Sequence, residues 1–191
     1  MEEDKMNFIH FIKGAYPKES CKKLIKWFED NKNLSKPGGF GGGRVLDNLE
    51  ISLELKVLQD FFNLGSTLRE SINSFVEQYP LVNDCVGRWK LDPFVQLMKY
   101  EPNQYYSKVH CENDGSTKKS RARVFAFTIF LNDIKIGGGT EFIHQKFVAK
   151  PVAGDFYIWP AHWTHLHKGV NAPKEKKYII TGWCIYDTEN D

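Results

Sequence analysis

The sequence predicts a mainly β domain with helices packed on its outside. The second half contains short runs of β-forming residues separated by turns, a pattern typical of a sandwich or barrel. The first half instead places apolar residues at helical spacing. Aromatic residues are plentiful (Phe 14, Tyr 8, Trp 5) and suit a β-rich core. With 191 residues, the chain is long enough for one such domain with a sizeable core.

Composition excludes several classes of protein. The net charge of +2 gives no strong attraction to nucleic acid or to an anionic membrane. The acidic N-terminus lacks the apolar segment of a secretory signal, and no apolar run approaches transmembrane length. The four cysteines lack any Cys-x-x-Cys spacing, so we expect reduced thiols in a cytoplasmic protein rather than a zinc finger or disulfide scaffold.

Two amphipathic helices are predicted in the first half. The first covers about 18–31, where Cys21, Leu24, Ile25 and Phe28 follow the i, i+3, i+4, i+7 pattern. The second is predicted to begin near Thr67, whose hydroxyl can form a capping box with Glu70. Its apolar stripe consists of Leu68, Ile72, Phe75 and Val76.

A glycine-rich stretch at 36–44 separates the two helices. It is not a phosphate-binding loop, because no Gly-Lys-Ser or Gly-Lys-Thr follows. So many glycines cost too much entropy for a helix or strand interior. We therefore predict a flexible surface loop, with a lid over a substrate groove as the alternative.

The strands of the second half are marked by residue type and alternation. The run 124–131 is continuously apolar, so it is predicted to be a central strand covered on both faces. Three glycines at 137–139 mark a turn. Further strands are predicted at 96–100, 155–159 and 178–186.

One pair of residues indicates a metal site. His110 and Glu112 are two positions apart, so on an extended strand both side chains point to the same side. Together with a distant histidine they would form the two-histidine, one-carboxylate face that holds non-haem Fe(II) in oxygenases. The candidates for the third ligand are His162, His165 and His167. The alternatives are histidines that only pack in the core, or a zinc site that also uses Cys111; Cys111 is expected to face away from the pair on a regular strand.

Six segments of the second half carry a resemblance to a known family. In chain order they are KYEPNQYY at 99–106, HCE at 110–112, RVFAFTIFLND at 123–133, GGGTEF at 137–142, PVAGDF at 151–156 and KYIITGW at 177–183. Together they resemble the prolyl 4-hydroxylase group of 2-oxoglutarate- and Fe(II)-dependent dioxygenases. The resemblance covers most of the second half and the N-terminal helices only loosely.

The resemblance implies a double-stranded β-helix, the jelly roll of two sheets. It also implies that His110, Glu112 and one later histidine bind Fe(II). A basic residue on the strand after that histidine binds the far carboxylate of 2-oxoglutarate, and Lys177 fits this place. The family places its basic residue nine or ten positions after the histidine. His167 therefore leads, with His165 as the runner-up, and His162 is expected to have a rim or packing role.

Further site residues are predicted, Tyr100 from the same resemblance and the two threonines from their hydroxyl groups inside the barrel. Tyr100, Thr128 and Thr181 are expected to line the 2-oxoglutarate pocket, although a packing role would also explain a tyrosine and two threonines there. Arg123 and Trp183 are expected to contact the substrate, with a place in the pocket wall or the core as the alternative for Trp183.

The chain departs from the family at two positions. Glu112 stands where most relatives have aspartate. Phe130 stands where many prolyl hydroxylases have a tyrosine that helps to hold 2-oxoglutarate, so normal co-substrate affinity depends on other groups.

The resulting prediction is a single domain, with residues 1–90 as a helical support and 91–188 as the jelly-roll catalytic core. We expect it to use Fe(II), 2-oxoglutarate and O₂, with ascorbate as an auxiliary reductant, to hydroxylate a prolyl residue in a peptide or protein. The alternatives are a non-catalytic jelly-roll binding module, or the same chemistry on a nucleic-acid base or a free amino acid. The basic stretch 118–123 is the only feature in favour of nucleic acid, and it lacks interleaved aromatic residues.

Overall fold

The computed structural model describes residues 7–37, 49–55 and 63–187. Its strands are β1 (His10–Ile12), β2 (Lys36–Pro37), β3 (Leu49–Glu54), β4 (Trp89–Tyr100), β5 (Arg123–Phe130), β6 (Thr140–Phe142), β7 (Phe147–Ala149), β8 (Phe156–Pro160), β9 (His167–Gly169) and β10 (Lys177–Tyr186). Its α-helices are α1 (Lys18–Asp30), α2 (Leu64–Gln78), α3 (Leu81–Cys85) and α4 (Lys118–Arg121), and two 3₁₀ turns lie at Lys32–Leu34 and Trp163–His165.

The strands form two antiparallel sheets. The major sheet has the order β1-β8-β5-β10-β4-β3-β2, and the minor sheet has the order β7-β6-β9. Strand β5 is central in the major sheet, between β8 and β10, and seven of its eight residues are buried. The prediction of a central strand covered on both faces is therefore confirmed.

Alternate residues of the major sheet belong to two separate apolar clusters. On the outer face, residues such as Phe127 and Ile180 pack with Leu24 and Phe28 of α1 and with Leu68 of α2. The inner-face cluster joins the two sheets, and its buried members are Ile9, Ala126, Phe130, Phe142, Ala149, Tyr157, Trp159 and Trp183. A mainly β jelly roll with helices on the outside of one sheet is thus confirmed, and it is not a closed barrel.

Polar contacts fix α1 to the outer face of the sheet. The Lys99 ammonium lies 2.8 Å from Glu29 of α1, and the Tyr178 hydroxyl donates to the same carboxylate at 2.6 Å. Lys99 also lies 2.9 Å from Glu101. This buried lysine therefore has two acidic partners, as a buried charge requires.

Most predicted elements are confirmed, and two starting points are wrong. Strand β4 begins at Trp89, seven residues before the predicted start at 96. Helix α1 ends one residue before the predicted limit. Helix α2 begins at Leu64 rather than near Thr67, and no capping box forms there, because Asn63 occupies the N-cap in a left-handed conformation. The predicted glycine loop lies largely outside the described residues.

The predicted glycine turn is present and has a clear steric cause. Gly137 and Gly138 both have positive φ, at 72° and 73°. A Cβ atom on Gly137 would lie 1.7 Å from the carbonyl oxygen of Asn171, so no larger residue fits.

Within the three described ranges, no helix is both long and apolar enough to cross a membrane. The division into a helical support and a catalytic core stays a prediction.

Candidate metal centre

The minor sheet brings His110 next to His167. His167 opens strand β9, and the backbone groups of the two histidines exchange hydrogen bonds of 3.0 and 2.9 Å. His110 lies in a single isolated bridge and not in a regular strand, so that part of the prediction is wrong. This local bridge to β9 holds His110 beside His167.

The three predicted ligands lie close together. His110 Nε2 is 3.4 Å and His167 Nε2 is 3.6 Å from Glu112 Oε1. The candidate ligand atoms all lie within 4.8 Å of one another, and among the described residues no other metal-binding group of this kind is found. A metal ion with bonds of about 2.1 Å holds neighbouring ligand atoms roughly 3 Å apart, so the spacing fits one ion after a small contraction.

Hydrogen bonds fix the tautomer of both imidazoles. His110 Nδ1 donates to the carbonyl oxygen of Lys108 at 3.0 Å, and His167 Nδ1 donates to that of His165 at 2.8 Å. A carbonyl oxygen can only accept, so both Nδ1 atoms carry hydrogen. In the neutral rings both Nε2 atoms therefore present lone pairs towards Glu112, an arrangement typical of histidine metal ligands whose other nitrogen is held by the backbone.

This arrangement calls for a cation. Two nitrogen lone pairs and a carboxylate oxygen that face one another repel unless a proton or a metal ion lies between them. Burial alone would raise the pKa of Glu112, but hydrogen bonds from His110 and His167 and positive charge on their rings outweigh it and hold this pKa well below its ordinary value. In the absence of metal, protons on the imidazoles thus take the place of the ion. Glu112 is therefore ionised, and the donor set fits Fe(II), which accepts imidazole nitrogen and carboxylate oxygen.

Aromatic rings pack around both histidines. Phe142 and Trp159 lie 5.4 and 5.2 Å from the His167 ring, and Tyr106 lies 4.4 Å from the His110 ring. Neither Phe142 nor Trp159 was predicted to belong to the site. Strand alternation could have identified them, because it directs both side chains, from β6 and β8, to the interior that contains the ligands.

Glu112 has two further partners. Arg123 Nη1 donates to Glu112 Oε2 at 3.0 Å, and Trp183 Nε1 donates to the same oxygen at 2.8 Å. The Arg123 guanidinium also lies 3.8 Å from the Trp183 ring. Arg123 and Trp183 were predicted to contact substrate, whereas the structure places their polar groups on the carboxylate.

Lys177 is buried on the inner face of β10. It is 5% exposed, and within the described part of the chain no carboxylate pairs with it. Its Nζ lies 4.5 Å from the centre of the Tyr100 ring, and burial lowers the pKa of Lys177 to about 8. A buried cation without a counter-ion is costly, so this position is prepared for an anion.

The two predicted threonines are directly opposite each other on β5 and β10. Thr128 donates to the carbonyl oxygen of Ile180 at 3.1 Å, and Thr181 donates to that of Phe127 at 3.0 Å. A carboxylate can only accept hydrogen bonds, so neither hydroxyl can donate to 2-oxoglutarate while these bonds persist. Phe130 is buried on the same strand as Thr128 and offers no hydroxyl.

The runner-up ligand, His165, is directed elsewhere. It lies in the 3₁₀ turn and not in an extended strand, so it does not share the direction of His167. Its Nδ1 is 3.0 Å from the Thr164 hydroxyl and its Nε2 is 2.9 Å from the carbonyl oxygen of Asn7. Both ring nitrogens are thus engaged, and the structure does not support His165 as a ligand.

The other two candidates from the sequence also lie outside the triad. His162 is half-buried at the start of the same turn. The Cys111 thiol donates to the carbonyl oxygen of Asn113.

Comparison with known proteins gives an independent indication of the class. Residues 95–185, just under half of the chain, match the family model of the 2OG-Fe(II) oxygenase superfamily. This segment contains all three predicted ligands and Lys177. No curated protein matches the chain.

Solved structures share the fold over nearly the whole chain. The viral collagen prolyl hydroxylase of Paramecium bursaria Chlorella virus-1, solved with 2OG, has a TM-score of 0.67 at 19% identity and covers 95% of this chain and 97% of its own. A Pseudomonas putida prolyl-4-hydroxylase has a TM-score of 0.69 at 15% identity, with coverages of 95% and 94%. A Trichoplax adhaerens prolyl hydroxylase, in complex with a hypoxia inducible factor peptide fragment, has a TM-score of 0.70 at 13% identity, with coverages of 94% and 84%.

The jelly roll, the converging triad and the family model together define the class of protein. The chain is a 2-oxoglutarate-dependent dioxygenase that uses Fe(II), 2-oxoglutarate and O₂. Its segment 95–185 is a 2OG-Fe(II) oxygenase domain, and its fold is that of the prolyl 4-hydroxylases.

Proposed function

We propose that the protein hydroxylates a prolyl residue in a peptide or protein. The observation that carries the proposal is a converging His110–Glu112–His167 site in the same jelly roll as Lys177, a buried cation that no described carboxylate neutralises. The structural neighbours support the choice of substrate class, because one is a collagen prolyl hydroxylase and another was solved with a peptide.

In this proposal His110, Glu112 and His167 bind the iron. Two neutral imidazoles and one carboxylate would supply three ligands to the ion, and its remaining positions would be left for the co-substrate and dioxygen. When bound, Fe(II) supplies the activation of dioxygen that is coupled to decarboxylation of 2-oxoglutarate. The carbonyl oxygens of Lys108 and His165 keep both Nε2 atoms directed at the ion.

Lys177 is proposed to bind the far carboxylate of 2-oxoglutarate. The ion pair would satisfy the buried charge of the ammonium, and it would orient the co-substrate along the inner face of β10. Tyr100 lies under the ammonium, and its phenol is a candidate second donor to that carboxylate. Thr128 and Thr181 would have to exchange their backbone hydrogen bonds to take part.

The aromatic residues exclude water from the reacting centre. Phe142 and Trp159 are buried against His167, and low polarity around the ligands strengthens every charge interaction within the site. Contact of the substrate with Arg123 or Trp183 stays a prediction, because both side chains already donate to Glu112.

The test combines product detection with a peptide panel. Purified protein with Fe(II), ascorbate and 2-oxoglutarate is incubated with proline-containing peptides and with matched peptides in which alanine replaces proline. We expect succinate release and an added oxygen mass on proline-containing peptides only. His167→Ala is the inactive control, and His162→Ala is the matched histidine control that keeps activity.

The outcomes separate chemistry from substrate. If succinate is released but no peptide of the panel is oxidised, the protein is a dioxygenase whose substrate is not a prolyl residue in these peptides. Oxidation of a free amino acid or of an oligonucleotide, tested in parallel, would identify the alternative class.

A further inference from the structure

The carboxylate of Glu112 is held from the side opposite the histidines. Its Oε1 faces the two Nε2 atoms, and its Oε2 accepts from both Arg123 and Trp183. The two oxygens therefore have different partners, and each oxygen has two of them.

Arg123 and Trp183 form a rigid pair. The guanidinium lies 3.8 Å from the indole ring, and Arg123 Nη1 also donates to the backbone carbonyl of Glu112 at 3.1 Å. The Trp183 side chain is almost fully buried, and the Arg123 side chain is 18% exposed. Burial strengthens charge-assisted hydrogen bonds and limits the rotamers that either side chain can adopt.

Glutamate makes such a support necessary. It has one more methylene than aspartate and one more rotatable bond, so its carboxylate can swing and can offer both oxygens to one ion. Two donors on Oε2 remove that freedom, because turning this oxygen towards the ion would break both bonds and leave buried donors unpaired.

We propose that Arg123 and Trp183 are positioning residues that hold Glu112 as a ligand through a single oxygen, and that they adapt the site to a carboxylate one methylene longer than aspartate. The inference rests on the metal site of the proposed function. It gives the two residues a role beyond the substrate contact expected from the sequence. The balance of charge is consistent with this role, because Arg123 neutralises the oxygen that the ion does not use.

The experiment measures metal binding and requires no turnover. Mn(II) affinity and the Co(II) absorption spectrum are recorded for the full chain and for Arg123→Gln, Trp183→Phe and Glu112→Asp, together with the double variant E112D/R123Q. Loss of a group that orients a metal ligand typically costs 10–100-fold in metal affinity, so we expect about that loss for Arg123→Gln and a smaller one for Trp183→Phe. The Co(II) bands should shift in both, because the carboxylate is then free to bind through two oxygens.

The double variant distinguishes positioning from general support of the fold. Aspartate is too short to keep the contact with Arg123, so in the Glu112→Asp background Arg123→Gln should change Mn(II) affinity less than about threefold. Arg121→Gln is the matched control. It removes an exposed arginine two positions away, whose side chain donates to the carbonyl of Gly115, and it should leave affinity and spectrum unchanged.

Each outcome leads to one conclusion. Wild-type affinity and spectrum in both Arg123→Gln and Trp183→Phe would overturn the inference while retaining the metal site. An equal loss of affinity on Arg123→Gln in the wild-type and the Glu112→Asp backgrounds would also overturn it. Failure of the wild-type chain to bind Mn(II) or Co(II) would reject the proposed function together with the inference. If Arg123→Gln does not fold by circular dichroism, Trp183→Phe alone decides, because it keeps an aromatic ring and removes the N–H donor.

Discussion

Replacing Lys177 with methionine should stabilise the protein while removing its affinity for 2-oxoglutarate. Methionine is similar in length to lysine and keeps the apolar stem in place. The substitution removes a buried ammonium that no carboxylate neutralises within the described residues. A group that exists to meet a ligand is expected to cost stability while the ligand is absent.

The magnitude follows from the lysine pKa. Burial lowers the pKa of Lys177 from 10.5 to about 8. At 1.36 kcal/mol per tenfold change in the proton equilibrium, the buried charge costs roughly 3 kcal/mol at pH 7. The cation–π contact with Tyr100 returns about 0.5–2 kcal/mol, which the variant loses. The net expectation is a gain of roughly 1–2 kcal/mol in the free energy of unfolding.

The contribution of Lys177 to stability depends on pH. Below pH 8 the lysine is charged in both states, so the wild-type protein carries the full cost. Between about pH 8 and 10.5 the folded protein releases this proton while the unfolded chain retains it. Wild-type stability attributable to this group therefore rises with pH across that window, and the advantage of the variant disappears.

Urea unfolding with EDTA and without 2-oxoglutarate measures the effect. The midpoint of Lys177→Met should exceed that of the wild type by about 0.5–1 M at pH 7. Lys176→Met is the control, since Lys176 is 52% exposed, and its change should stay within about 0.5 kcal/mol. A Lys177→Met protein no more stable than the wild type would refute the argument that this charge is buried without a partner.

Three further predictions concern the metal, the co-substrate and the fold. Mn(II) at a hundredfold excess over its dissociation constant should add about 2.7 kcal/mol to the free energy of unfolding of the wild type and of His162→Ala. It should add nothing to that of His167→Ala. Equal stabilisation of all three proteins would contradict the proposed metal site. Calorimetry with Mn(II) present should show the affinity for 2-oxoglutarate falling about tenfold per pH unit above pH 8, because only the protonated Lys177 binds the carboxylate. An affinity that stays constant up to pH 9.5 would exclude Lys177 as the group that binds it. Gly182→Ala should cost about 1–3 kcal/mol in urea unfolding, because its Cβ would lie 2.4 Å from the Phe127 ring, whereas Gly87→Ala has ordinary clearance and should be neutral.

Much of the fold could be predicted from local sequence pattern. The run 124–131 is apolar at nearly every position, and a strand with both faces covered is the simplest structure that buries it. Helix α1 was predictable because its apolar stripe is regular. The start of α2 was not, because Asn63 caps the helix through its backbone conformation, which residue type alone does not specify.

The site could be predicted only in part, because its geometry depends on contacts between distant segments. His110 and Glu112 were identified by spacing, but the extended strand assumed for them is absent. A single bridge to His167 positions His110 instead, and Arg123 and Trp183 hold the Glu112 carboxylate. Choosing between His165 and His167 needed the structure. The two lie two residues apart, and a 3₁₀ turn directs only His167 to the site. The partners of Glu112 were equally inaccessible, since Trp183 lies 71 positions along the chain.

The two costs built into this site explain why its ligands should bind together. Without metal, two imidazoles and a buried carboxylate converge on a site that only protons can occupy; without co-substrate, a buried ammonium has no carboxylate partner among the described residues. In the proposed site, iron would remove the first penalty and the far carboxylate of 2-oxoglutarate would remove the second. Because the near end of 2-oxoglutarate is expected to bind the metal while its far end binds Lys177, each ligand helps to place the other. Groups that destabilise the ligand-free protein are therefore expected to contribute to the binding free energy of the metal and 2-oxoglutarate together.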